Sequence, residues 1–143
     1  MSYRIYVNDK QCLGNGECPK VLIKALNKQG AKIYKSKDYC FHDFEIKELQ
    51  PIIEALEQYI FDIDNYYKQR DGIGLGNYQE EFDRYTQRNF TFEIQQLIDC
   101  GYMFITANFL RYIEGDYEME YDFDRNRFIY KIKEGHKIYM SGF

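Results

Sequence analysis

From Glu114 to Asp124 every second residue is acidic: Glu114, Asp116, Glu118, Glu120, Asp122 and Asp124. Tyr117, Met119, Tyr121 and Phe123 fill the intervening places. Strict alternation matches a strand, whose successive side chains point to opposite faces. A helix would spread the acids around its circumference and leave no apolar stripe. This segment therefore belongs to a sheet, with Tyr117, Met119, Tyr121 and Phe123 expected to pack inward. Turns read at Glu114-Gly115-Asp116 and Asp124-Arg125-Asn126. Phe128 to Lys133 and Lys137 to Met140 then complete an antiparallel meander.

A second pattern has the helical period. Between Ile46 and about Lys68, apolar side chains recur at Leu49, Ile52, Ile53, Leu56, Tyr59, Ile60, Ile63 and Tyr67. Spacings of three and four make an amphipathic stripe. Pro51 belongs in the first turn, so residues 46–49 fall outside the helix proper. Upstream, Arg4 to Asn8 alternates like a short strand. Pro19 opens a helix that buries Val21, Leu22, Ala25 and Leu26 and stops at Gly30. Ala31 to Lys35 and Tyr39 to Phe44 read as strands.

Downstream, Asp71-Gly72-Ile73-Gly74-Leu75-Gly76-Asn77 is the strongest break. Asn77 and Glu80 form a capping box for a helix to Arg88, and a further helix runs from Thr91 to Cys100. Tyr102 to Ile113 is rich in aromatic and β-branched residues, and the expectation there is a strand. The predicted class is α+β: an antiparallel sheet, from an N-terminal β-α-β-β unit and a C-terminal meander, packed with two to three helices. At 143 residues and with two prolines, the chain is expected to be one domain over 1–143.

Composition narrows the function. The formal net charge of −4 argues against direct binding of nucleic acid. No stretch approaches 18 consecutive apolar residues, so no membrane span is expected. The N-terminal segment has no apolar run of the secretory kind, which points to a cytoplasmic protein with Cys12, Cys18, Cys40 and Cys100 reduced. The 15 Tyr and 11 Phe suit strand positions, where aromatics are favoured, and exposed Tyr is also enriched at partner-binding surfaces.

Signatures of chemistry are weak. Gly72-x-Gly74-x-Gly76 follows a helix and lacks the spacing of a dinucleotide fingerprint; no Lys-Ser or Lys-Thr follows it, as a phosphate loop requires. Cys12, Cys18, Cys40 and His42 offer four zinc donors at no standard spacing, and no metal or cofactor is expected. Cys40 with His42 or His136, oriented by Asp43, lacks the local signature of a thiol enzyme. The acidic row is the most informative feature. Its carboxylates would repeat every ~6.8 Å, close to the separation of about 6 to 7 Å between phosphates along a nucleic-acid strand. Lys131 and Lys133 with Arg125 and Arg127 offer internal neutralisation of that row.

In size, acidity and lack of a catalytic signature the chain looks like the small inhibitors encoded by phages and mobile elements, and like immunity proteins that block toxic nucleases. The resulting expectation is a non-enzymatic acidic module that binds a basic, nucleic-acid-handling protein, in the manner of anti-CRISPR, anti-restriction or toxin-immunity proteins. Glu118, Glu120, Asp122 and Asp124 would form the contact, with Tyr78 and Tyr102 as aromatic anchors. Two alternatives remain open: a small enzyme or ligand binder near the glycine loop and Cys40/His42, and a structural accessory that self-associates.

Overall fold

Apolar residues at strand and helix periods divide the described residues between two small sheets and three helices. The computed structural model describes residues 4–11, 19–35, 39–71 and 105–142. The strands are β1 (Ile5–Val7), β2 (Lys10–Gln11), β3 (Tyr34–Lys35), β4 (Tyr39–Glu45), β5 (Tyr117–Asp122), β6 (Arg127–Ile132) and β7 (Tyr139–Gly142). The helices are α1 (Lys20–Lys28), α2 (Gln50–Asp71) and α3 (Ile105–Tyr112). One sheet has five strands in the order β2-β1-β7-β4-β3, and the other is the hairpin β5-β6; all neighbours are antiparallel. The α+β class expected from the sequence is the one found.

Local chemistry explains the boundaries. Asn8 and Asp9 hold φ of 48° and 64°, the left-handed pair that closes a two-residue hairpin between β1 and β2. Pro19 caps α1, its carbonyl accepting from the N–H groups of Leu22 and Ile23. At the other end Gly30 takes φ 95°, and the N–H of Ala31 reaches back to the carbonyl of Leu26. Pro51 is the second residue of α2, where it forfeits no helical hydrogen bond.

The core joins one face of the five-stranded sheet (Ile5, Val7, Phe41, Met140) to Leu22 and Leu26 of α1, Ile52, Ile53 and Leu56 of α2, and Ile105 and Phe109 of α3. A bulge between Phe41 and Phe44, opposite Gly142 and Met140, lets two residues three apart both turn inward while His42 and Asp43 stay exposed.

Two expectations are corrected. The stretch expected as a strand over Tyr102 to Ile113 contains helix α3. Ile105, Phe109 and Ile113 are all fully buried at intervals of four, so burial on a helical stripe outweighs the strand-like composition. Among the C-terminal strands, β7 does not extend the β5-β6 hairpin. Gly135, at φ 80°, turns the chain away, and Ile138 and Met140 carry β7 into the slot between β1 and β4. The glycine segment 72–76 and the helices expected over 77–88 and 91–100 lie outside the described residues.

Candidate functional site

The β5-β6 hairpin carries the acidic row. Register pairs Glu118 with Lys131, Glu120 with Ile129 and Asp122 with Arg127, and residues directly opposite share a face. One face therefore holds Glu118, Glu120 and Asp122; the other holds Tyr117, Met119 and Tyr121 opposite Ile132, Tyr130 and Phe128. Asp124 sits in the loop that joins the strands. The Asp122 carboxylate builds that loop by accepting the N–H groups of Asp124 at 3.0 Å and Arg125 at 3.2 Å. Asn126, at φ 54°, completes the reversal and takes a hydrogen bond from the Tyr121 hydroxyl.

Among the described residues, neutralisation of the row is partial. Lys131 Nζ lies 3.3 Å from Glu120, and Arg125 lies 3.7 Å from Asp122. Arg127 turns elsewhere, to Glu57 at 3.0 Å and Glu54 at 3.7 Å on α2. Glu118 and Asp124 make no ion pair with any described residue. Exposed pairs of this kind contribute roughly 0–1 kcal/mol, so an incoming cation displaces them at little cost. A shallow depression of about 380 Å³ is lined by Glu120, Asp122, Asp124, Ile129 and Lys131 together with Tyr121 and Phe123.

The second face departs from expectation. Tyr117, Tyr130 and Ile132 pack on the core, but Met119, Tyr121 and Phe123 do not turn inward. Met119 is 55% exposed, Phe128 49% and Phe123 86%. The core ends at the base of the hairpin, and among the described residues no core cluster covers Met119, Tyr121, Phe123 or Phe128. Tyr121 meets Phe123 and Phe128 edge-on, at centroid distances of 4.9 and 5.2 Å, so these rings cluster with one another. Alternation in the sequence identified the two faces but carried no information about how far the core reaches.

At its base the hairpin is tied to the large sheet. Asp116, expected within the acidic row, instead lies 2.9 Å from His136 Nδ1 and accepts from Asn8 Nδ2 at 3.5 Å. Asn8 also accepts the Tyr139 N–H at 2.9 Å. Residues 8, 116 and 136 are too distant in sequence for any local pattern to announce this cluster. Burial, followed by the Glu57 carboxylate, pushes the Tyr130 phenol above its ordinary value, against the pull of Arg127.

The other candidates are dispersed. Cys40 Sγ lies 3.9 Å from His42 Nε2, consistent with one face of β4. His136 takes Asp116 as its carboxylate partner, and Asp43 instead lines a depression of about 340 Å³ with Tyr6, Asn8, Asp9, Tyr139, Met140 and Ser141. Cys12, Cys18, Tyr78 and Tyr102 lie outside the described residues. Among the described residues no group of three His, Cys, Asp or Glu side chains is placed to hold a metal ion, and no helix is long and apolar enough to cross a membrane. Comparison with family models, curated proteins and solved structures finds no match for the chain.

Proposed function

We propose that this chain is a non-enzymatic protein-binding module whose β5-β6 hairpin covers the nucleic-acid-handling surface of a basic partner protein. One observation carries the reading: Glu118, Glu120 and Asp122 share an exposed strand face, with Asp124 in the adjoining loop and, among the described residues, cations paired with only two of the four. Carboxylates at strand spacing, ~6.8 Å apart, offer a groove built for phosphates a matching row of charge. A basic partner relieves the repulsion among these acids, and the acidic field speeds its approach. Inhibition of the anti-CRISPR or anti-restriction kind and immunity against nuclease toxins both fit this reading. Tyr78 and Tyr102 remain part of the proposed contact as aromatic anchors.

The test is affinity capture from native host lysate at low and moderate salt, with the parent chain beside a Glu118→Gln, Glu120→Gln, Asp122→Asn, Asp124→Asn variant. Asparagine at 122 keeps the acceptor that the loop requires. The expected result is one basic nuclease or nucleic-acid-binding protein, whose recovery falls at least tenfold with salt and with the variant. Capture that ignores the four substitutions refutes the mechanism. Self-association is the second reading, favoured by the exposed Met119, Phe123 and Phe128, and light scattering distinguishes it.

A further inference from the structure

We infer that the outer edge of β5 accepts one added strand, supplied by the partner as an extended segment with Lys or Arg at alternate positions and apolar residues between them. This rests on the protein-binding reading and specifies how the partner engages.

The far edge of β6 is engaged: the Tyr130 N–H donates to Gln50 Oε1 at 2.8 Å, and Arg127 is held by Glu57. On the far side of β5, no described residue hydrogen-bonds to the strand. Which of its groups face outward follows from antiparallel alternation. The Tyr130 N–H points away from β5, so Met119 and Tyr130 form a non-hydrogen-bonded pair. The Lys133 N–H, donating to the Asp116 carbonyl at 3.0 Å, sets the same phase. The N–H and C=O groups of Tyr117, Met119 and Tyr121 are therefore directed to this outer edge, where no described residue meets them.

The flanking side chains select the occupant. An added strand would have one face beside Glu118, Glu120 and Asp122 and the other beside Met119 and Tyr121. A second copy of β5, paired antiparallel, would set acids against acids, and like charges directly opposite destabilise a sheet. A strand alternating cations with apolar residues satisfies both faces and supplies backbone partners to the outward groups of β5.

The test uses the full chain and a synthetic, end-blocked peptide of three Lys-Val repeats at millimolar concentration, read by amide hydrogen exchange. The peptide is expected to slow exchange at Tyr117, Met119 and Tyr121 at least tenfold, while a Glu-Val counterpart does nothing. Met119→Pro removes an outward donor but no β5-β6 hydrogen bond, and is expected to abolish the effect. A Glu118→Lys, Glu120→Lys variant is expected to prefer the Glu-Val peptide, a gain that does not depend on the proline variant folding.

Lys-Val binding that requires Glu118 and Glu120 yet leaves these three amides unprotected overturns edge pairing while leaving the acidic-surface reading intact. Capture from lysate that ignores the four acid substitutions overturns the acidic-surface reading itself. Protection at the same amides that grows with protein concentration alone assigns the edge to a second copy and overturns the proposal.

Discussion

Tyr130 joins the hairpin, the core and α2, and its ionisation reports on all three. Its ring stands 5.8 Å from that of Tyr117, and the phenol is raised above 10.0 chiefly by burial and then by Glu57. A group raised in the folded state holds its proton more tightly there than in the unfolded chain. The stability it contributes is fully present below about pH 10 and is lost as pH rises through the folded value. Melting temperature should therefore fall above about pH 10, and Tyr130→Phe should flatten that part of the decline. Equal slopes for parent and variant would show that Tyr130 is no more shielded than other tyrosines. No sequence pattern pointed to this residue, because the shift depends on burial in the folded chain and then on Glu57, 73 positions away in the sequence.

Among the elements, α2 and α3 show what a sequence makes legible. The α2 stripe persists over many turns, and Pro51 marks where the helix begins, so its N-terminal boundary was readable to within a residue. Helix α3 spans only eight residues, and its aromatic and β-branched composition suits a strand equally well. What decides is the pair of layers it must fit. Ile105, Phe109 and Ile113 fill the space beside α2, and a strand would instead bring Ala107 and Arg111 to the same face as Phe109. Phe109→Ala should cost about 3–5 kcal/mol, whereas Ala107→Ser should stay within about 0.5 kcal/mol. Urea unfolding of the two variants checks this, and a large loss at Ala107 would restore the strand. The candidate interface divides in the same way. Its acids were visible because alternation is a local property. The exposure of Met119 and Phe123 was not, because it depends on where the core stops.

Across the whole molecule, the buried strand and the proposed recognition surface occupy different ends of one C-terminal sequence. β7 enters the large sheet between β1 and β4, so the last described strand bridges segments from the first third of the chain. Ile138 and Met140 are buried at 0% and 1% exposure, and the Asn8 side chain anchors the Tyr139 N–H beside them. The hairpin that precedes β7 ends in Phe123, at 86% exposure, beyond the reach of that core. Removing core volume at β7 disturbs both neighbours at once, and Met140→Ala should cost about 2–5 kcal/mol. Phe123→Ser removes a ring that is mostly in water already, and its cost should stay within about 0.5 kcal/mol. Native-state hydrogen exchange extends the contrast. Tyr6 and Phe44 amides, which bond to β7, should open only with global unfolding, while the outer hairpin opens at lower free energy. If Phe123→Ser unfolds the protein as readily as Met140→Ala, the hairpin tip is structural and its exposed face is not free for a partner. If the two separate as expected, substitutions at the tip test recognition without confounding loss of the fold.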